Sequence, residues 1–319
     1  MESRTLGASE IAVSVVGLGC NNLGRTGTLT FDQAGTDVVV HAALDAGVNF
    51  FDTADIYGAE YGLSETRLGV ALKNRRDEAI IATKFGHTSI PSPITDAGPK
   101  GSPTYIRAAV EGSLRRLNVD YLDLYQQHNP DPSVPIADTL GALDELVTAG
   151  KVRAIGNSNF DAAQLREADA VAASLDTARF VSAQNHYSLL ARGAENEVLP
   201  AAAELGLGFL PFFPLANGLF TGKFSRTELP SDTRIGRQRP EVHETAPWDA
   251  IEAFEVFAAA RGVSILEATF GWLLSKPSLS SVIAGATKPE QVRANAAAGT
   301  AWRPTAAEID QIERLFPIA

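Results

Sequence analysis

Residues 104–159 contain a pair of segments that occurs twice: TYIRAAVEGSLRRLN (104–118) before LDLYQQH (122–128), and IADTLGALDELVTAG (136–150) before VRAIGNSN (152–159). The first segment of each pair has apolar residues at spacings of three and four, which is typical of a helix packed on one face. The second is a short apolar run with the length of a buried strand. Repeated strand and helix units of this kind require parallel strands.

The same alternation extends over the rest of the chain. The apolar runs of strand length are VSVVGLG (13–19), NFFDTA (49–54), AIIATKF (79–85), LDLYQQH (122–128), VRAIGNSN (152–159), FVSAQNH (180–186), GFLPFF (208–213) and SVIAGA (281–286). Eight such units suit a closed (β/α)8 TIM barrel in the α/β class, with an open doubly wound sheet as the alternative. We expect one domain over residues 1–319.

Both ends of the chain add elements to this barrel. The N-terminal RTLGASEIAVSVVG (4–17) has a turn-like LGAS between β-prone pieces, which predicts a β-hairpin that closes the bottom of the barrel. Extra C-terminal helices are predicted up to TAAEIDQIERLF (305–316). The stretch from 217 to 248 is rich in proline, glycine and arginine and is too long for an ordinary connection, which predicts a functional loop.

Composition excludes several classes of partner. A formal charge of −11 provides no basic surface for nucleic acid or an anionic membrane, so an anionic ligand needs a local pocket. Cys20 is the only cysteine, so no internal disulfide can form, and MESRTLGASE (1–10) lacks the features of a signal peptide. We therefore expect a cytoplasmic protein, and because no run approaches 18 apolar residues we expect that it does not span a membrane. Oligomeric state cannot be predicted from the sequence.

Four ionisable residues follow strand-like runs: Asp52 and Tyr57 in FFDTADIYG, Lys84 in IIATKFG, and His128 in LYQQH. Barrel enzymes place catalytic groups at the C-terminal ends of their strands. A phenol close to an ammonium and an imidazole should have a lowered pKa, because positive neighbours favour the phenolate, and could donate a proton near neutral pH. This is the proton donor that reduction of a carbonyl requires.

On these motifs the chain resembles the aldo-keto reductase family, from VVGLGCNNLG (15–24) to GATKPEQVRAN (285–295). The resemblance implies reduction of aldehyde or ketone groups of small molecules to alcohols. Tyr57 would donate the proton, Lys84 would lower its pKa, Asp52 would hold Lys84, and His128 would orient the carbonyl. No side chain can supply a hydride, so a nicotinamide cofactor is required.

The resemblance also implies the residues that contact this cofactor. They are Gly19, Cys20 and Asn21, which would approach the cofactor through their backbone, Asp52, Ser158, Asn159 and Gln184 at the carboxamide, Phe212 stacked on the nicotinamide ring, Leu215, Gly218, Lys223 and Arg234 along the pyrophosphate, and Gly285, Thr287, Lys288, Gln291 and Asn295 at the adenosine. Phe213 departs from the usual serine, and Cys20 stands where threonine is common. A buried filler is the alternative role for Cys20.

The adenosine segment favours NADPH over NADH. Lys288 is predicted in the first turn of a helix, where a cation opposes the helix dipole unless an anion such as a ribose 2′-phosphate is near. Thr287 and Glu290 are spaced as a capping box, which would make this helix start an anion site even without a cofactor. No metal is expected, because the sequence has no HExxH motif and its five histidines are scattered.

Two other functions fit the same residues. One is a cofactor-sensing binding subunit resembling the potassium-channel β subunits, which share the fold and the four ionisable residues. The other is a barrel lyase or isomerase with Lys84 as a Schiff base, which requires a lysine free of an ion pair with Asp52. The substrate cannot be named, because loops such as GHTSIPSPITDAGPKGSP (86–103) determine specificity.

Overall fold

A computed structural model describes residues 1–318, and eight parallel strands form its centre. These strands are β3 (Val16–Gly19), β4 (Phe50–Asp52), β5 (Ile80–Phe85), β6 (Leu122–Gln127), β7 (Val152–Ser158), β8 (Phe180–His186), β9 (Gly208–Phe212) and β10 (Val282–Gly285). An antiparallel hairpin, β1 (Ser3–Thr5) and β2 (Ala12–Ser14), precedes them.

The sheet curls into a barrel. Each strand from β3 to β8 pairs in parallel with the next one along the chain, and β10 pairs with β3. Between β9 and β10, the Phe209 N–H donates to the carbonyl of Ser278 (2.7 Å) and the Ser280 N–H donates to the carbonyl of Phe209 (3.0 Å). An open sheet would leave two separate edges, so the predicted TIM barrel is confirmed over the alternative.

Helices connect the strands and surround the barrel. They are α1 (Gln33–Asp45), α2 (Leu63–Leu72), α3 (Pro103–Leu117), α4 (Ile136–Thr148), α5 (Ala162–Leu175), α6 (Val198–Glu204), α7 (Arg234–Gln238), α8 (Pro240–Glu244), α9 (Trp248–Ala259), α10 (Ile265–Leu274), α11 (Pro289–Ala301) and α12 (Ala306–Leu315). Local sequence explains their bounds: Ser102 caps α3 before Pro103, and Asn118 ends it in a left-handed conformation (φ 52°).

The N-terminal hairpin closes one end of the barrel, as predicted. Leu6, Ile11 and Val13 are buried against the inward-facing strand residues Phe50 and Leu124. Gly7 in the turn has φ +55°, and a Cβ there would lie 2.1 Å from the carbonyl oxygen of Val181. Only glycine fits this close approach, so the turn can seat the hairpin on the bottom of the barrel.

The opposite end of the barrel carries the long connections. The segment after β9, which includes α7 and α8, crosses this end before α9 begins. Within residues 1–318, no helix combines the length and hydropathy that crossing a membrane requires. The segment after β9 thus covers the end of the barrel at which the strands have their C-terminal ends.

Candidate active site

A cavity of about 1120 Å³ lies at the C-terminal ends of the barrel strands. Its floor contains the last residues of several strands. Those residues are Gly19, Asp52, Ser158, Phe212 and Gly285. Functional sites in this fold occur at this end, where side chains from different strands converge.

A buried ion pair joins two neighbouring strands below the cavity. Lys84 Nζ donates to Asp52 Oδ1 (2.8 Å), Asp52 Oδ2 (2.7 Å) and the carbonyl of Thr53 (2.9 Å), and Lys84 is 0% exposed. Burial alone would lower the pKa of Lys84, but the Asp52 carboxylate and the neighbouring Tyr57 outweigh it and leave the pKa raised. Lys84 is therefore a fixed positive charge.

Asp52 is supported by amides as well as by the lysine. Gln184 Nε2 donates to Asp52 Oδ1 at 2.9 Å, and Gln126 Nε2 donates to the same oxygen at 3.3 Å. These contacts satisfy a carboxylate that is only 3% exposed. Gln184 borders the cavity, so its amide links the ion pair to the ligand space.

Tyr57 borders the cavity beside this ion pair, with Lys84 Nζ 5.2 Å from its ring centroid. Burial of the phenol raises the pKa of Tyr57, and the Lys84 ammonium offsets only part of this effect. The predicted lowering of the Tyr57 pKa is therefore wrong, because that prediction did not include the effect of burial. The consequence is that the phenol carries its proton at neutral pH.

His128 follows β6, and its backbone N–H donates to the carbonyl of Phe85 (2.8 Å). The ring lies edge-on to Tyr57 (centroids 6.0 Å apart) and to His87 (4.7 Å). Burial, Lys84 and His87 together hold the pKa of His128 well below its usual range. Its imidazole is therefore neutral at pH 7, which corrects the view of this ring as a positive neighbour of Tyr57. Within residues 1–318, His128 Nδ1 has no hydrogen-bond partner.

Polar side chains at the C-terminal ends of β7 and β8 form a cluster beside His128. Asn159 has φ +62°, and its Nδ2 donates to the carbonyl of His128 (2.9 Å) and to Ser158 Oγ (3.1 Å). Ser158 Oγ donates to the carbonyl of Gln184 (2.9 Å). The three residues predicted to hold a carboxamide are thus in one cluster at the cavity wall.

An aromatic wall follows β9. The rings of Phe212 and His186 stack with centroids 5.4 Å apart and planes 5° apart, and Phe212 also borders the cavity. Stacking on His186 fixes the plane of Phe212. A flat apolar surface therefore faces the ligand space.

The cavity carries local positive charge in a protein whose net charge is −11. The cations that line it are Arg25, Lys223, Arg234, Arg237 and Lys288. Across the part of the chain that the structure describes, none of them forms an ion pair with a carboxylate. Unpaired cations in a concave site favour an anionic ligand.

The start of α11 differs from its prediction. The expected capping box of Thr287 and Glu290 is wrong, because Pro289 occupies the first helical position and Lys288 is the N-cap without a side-chain capping bond. Thr287 instead donates to Gln291 Oε1 through its N–H (2.8 Å) and its hydroxyl (3.3 Å). Lys288 precedes the first turn, and both it and Gln291 line the cavity.

The structure brings nearly all the predicted cofactor residues to the cavity. Besides those described above, the lining includes Asn21, Leu215, Gly218, Thr287 and Asn295. Cys20 does not contribute its side chain: it is 0% exposed, it packs in the hydrophobic core, and its Sγ lies 3.4 Å from the carbonyl of Leu18.

Two residues at or beside the site, Arg25 and Asp55, were not predicted from the sequence. Arg25 lines the cavity and donates to Gln238 Oε1 (3.3 Å), a contact across 213 positions that no local pattern reveals. Asp55 was also missed, although it lies three residues after Asp52. Tyr61 Oη donates to Asp55 Oδ2 (2.5 Å), and burial raises the pKa of Asp55 to about 7.

No group of three or more histidine, cysteine, aspartate or glutamate side chains within residues 1–318 could hold a metal ion. The site consists of the buried Asp52–Lys84 ion pair, the protonated phenol of Tyr57 and the neutral imidazole of His128, beside a cavity lined by cations.

The sequence of this chain is similar to those of several known proteins. The chain is 40% identical over 234 residues to a probable aldo-keto reductase 1 of Glycine max, a match covering 72% of this chain and 64%, slightly less than two thirds, of the soybean protein. It is 34% identical over 315 residues to an NADH-specific methylglyoxal reductase of Escherichia coli (strain K12), covering 93% of each chain.

A third relative has a different description. A probable voltage-gated potassium channel subunit beta of Oryza sativa subsp. japonica is 32% identical over 313 residues, covering 92% of this chain and 90% of the rice protein. The model of the Aldo/keto reductase family matches residues 15–316, which is almost the whole chain. With this match and the site at the C-terminal ends of the strands, the chain belongs to the aldo/keto reductase family.

Proposed function

We propose that the protein is an NADPH-dependent reductase of aldehyde or ketone groups in small molecules, with Tyr57 as the proton donor. The observation that carries this proposal is the buried Asp52–Lys84 ion pair beside a protonated phenol at the edge of the cavity. A bound nicotinamide would supply the hydride. The residues of this chain supply the proton, the orientation of the carbonyl and the binding of the charged cofactor.

The proton step uses the charge of Lys84. When the Tyr57 phenol gives its proton to the carbonyl oxygen, the residue becomes a buried phenolate, which burial disfavours. The ammonium of Lys84 offsets this cost because Asp52 and Thr53 hold it in place through three oxygen acceptors. Asp52 therefore acts through the lysine and does not take the proton itself.

Orientation of the carbonyl falls to His128. Its ring is edge-on to Tyr57, and its neutral imidazole has one N–H available as a donor. Two donors, the phenol and the imidazole N–H, would point at one oxygen and hold it for protonation. His128 Nδ1 has no partner within residues 1–318, so this ring has a nitrogen available to a ligand.

The cavity residues fit a nicotinamide dinucleotide. Ser158, Asn159 and Gln184 supply amide and hydroxyl groups for the carboxamide, and Phe212 supplies an aromatic face. The unpaired cations Lys223 and Arg234 suit a pyrophosphate. Lys288 is the cavity cation at the start of α11, which suits a 2′-phosphate and thus NADPH.

The relatives bear most directly on the proposed preference for NADPH over NADH. One relative is described as an NADH-specific reductase, so membership of the family does not imply NADPH. The preference proposed here depends on Lys288 alone among the cavity cations. Arg293, one turn further along α11, is the alternative helper.

Two other functions are distinguishable from this one. Lys84 is poorly suited to form a Schiff base with a substrate, because it is 0% exposed and its ammonium donates hydrogen bonds to both Asp52 oxygens. A cofactor-sensing subunit is supported by the similarity to the rice protein. Such a subunit would bind a dinucleotide tightly and turn over slowly with every carbonyl.

A cofactor-consumption screen tests the proposal. We expect oxidation of NADPH at 340 nm with some members of a panel of aldehydes, ketones, 2-oxoaldehydes and sugars, faster than with NADH at equal concentration. Tyr57→Phe is the matched inactive control, and EDTA should leave the rate unchanged. Tight binding of NADPH without turnover of any panel member would favour the sensor, whereas covalent trapping of substrate on Lys84 by borohydride would favour the Schiff base.

A further inference from the structure

Phe213 has an unusual backbone conformation. It follows the last residue of β9, and its φ is +53°. Bulky side chains rarely adopt this left-handed region, and such strain persists only where surrounding contacts hold it. Phe213 also lines the cavity. The strained residue therefore belongs to the ligand site.

Three neighbours hold the Phe213 ring. It lies edge-on to Phe212, with centroids 5.4 Å apart and planes at 87°. It is also edge-on to His186, at 5.8 Å and 90°. On the ring face, Arg234 Cζ lies 5.1 Å from the centroid, which is a cation–π geometry. The Phe213 ring therefore connects Phe212, at the end of β9, to Arg234, at the start of α7.

Arg234 needs such a neighbour because its charge is not neutralised. In residues 1–318 its Nε is buried without a hydrogen-bond partner, and no carboxylate lies within ion-pair distance. Burial, Arg25 and Arg239 all lower the pKa of Arg234. A guanidinium in this environment should be held by the aromatic face until an anion arrives.

We infer that Phe213 is a positioning residue for the cofactor: its ring holds the Arg234 guanidinium at the cavity, ready to receive a phosphate of the dinucleotide. This inference rests on the proposed function. A preordered arginine loses less side-chain freedom on binding, which strengthens affinity.

A double-mutant cycle tests the contact. Dissociation constants for NADPH are measured by fluorescence quenching for the wild type, Phe213→Leu, Arg234→Met and the double variant. Phe213→Leu keeps an apolar side chain without a π face and should weaken binding by about 3–10-fold. On the Arg234→Met background the same change should have almost no effect. Phe213→Tyr should restore wild-type affinity, because it retains the ring.

Two further readouts separate positioning from a structural role. Phe213→Gly removes the ring and suits a positive φ, so relief of backbone strain should offset part of the lost packing and the variant should stay folded, while its NADPH affinity falls. At saturating NADPH, kcat of Phe213→Leu should stay within about twofold of the wild type, because the ring holds no reacting atom.

Additive effects of Phe213→Leu and Arg234→Met, in a wild type that binds NADPH, would overturn this inference and leave the proposed function intact. So would wild-type affinity in Phe213→Gly. A wild-type chain that binds neither NADPH nor NADH would overturn both the inference and the proposed function.

Discussion

Lys84 and Asp52 lie on neighbouring parallel strands, and the Lys84 ammonium contacts both oxygens of the Asp52 carboxylate, at 2.8 and 2.7 Å. Both strands end at these positions or one residue later. The pair therefore places one permanent positive charge beneath the cavity, beside Tyr57.

Lys84→Met should reduce kcat by at least about 10²-fold, because no charge then offsets the buried phenolate. It should also destabilise the fold by roughly 3–5 kcal/mol, since it leaves the Asp52 carboxylate buried and unpaired. The double variant Lys84→Met, Asp52→Asn is the matched control: urea unfolding should show recovered stability, while kcat stays low. Recovery of turnover in the double variant would contradict the role of the lysine charge.

The neutral state of His128 can be observed directly. Because burial and Lys84 hold the pKa of His128 well below its usual range, its imidazole NMR signals should not titrate between about pH 6 and pH 8. His128→Leu should lower kcat/KM more than His128→Asn, which retains a hydrogen-bond donor. An imidazole midpoint near pH 6.5 would contradict the assigned protonation state.

Asp55 should make stability depend on pH. Burial raises the pKa of Asp55 in the folded chain to about 7, above the value of about 4 for a free aspartate, so the folded state binds an extra proton between these values. Its contribution is fully favourable below about pH 4 and is lost as pH rises to about 7, a difference of up to roughly 4 kcal/mol. The free energy of unfolding of the wild type, relative to Asp55→Asn, should therefore fall between about pH 4 and pH 7. Equal pH dependence in the two proteins would refute the raised pKa.

Lys288 should discriminate between the two cofactors. Lys288→Ala should raise the KM for NADPH about tenfold or more and leave the KM for NADH nearly unchanged, because only NADPH carries the 2′-phosphate. Arg293→Ala is the comparison variant on the same helix. If KM rises equally for both cofactors after Lys288→Ala, the lysine has another role and the cofactor preference must be reassigned.

Much of this molecule could be predicted from local patterns. Parallel strands bring their C-terminal ends to one face, so Asp52 and Lys84 could be placed together from their positions at the ends of apolar runs. The hairpin turn at Gly7 followed from short-range chemistry. These features depend on residues close together in the sequence.

The errors and omissions concern distant contacts and competing local signals. The pKa of Tyr57 is set by burial among several strands, which the motif alone does not reveal. The contact of Arg25 with Gln238 depends on how the long loop crosses the barrel. At Thr287 the capping pattern was present, but Pro289 at the first helical position set the helix start instead.

The most direct test of the central claim is kcat and NADPH affinity of Tyr57→Phe, measured with one reducible aldehyde. The matched control is Tyr121→Phe, since Tyr121 precedes β6 at the opposite end of the barrel. Tyr57→Phe keeps the ring but removes the proton donor, so kcat should fall by about 10²–10⁴-fold with NADPH affinity nearly unchanged, while the control keeps wild-type kcat. A Tyr57→Phe enzyme with wild-type kcat would contradict the proposed mechanism.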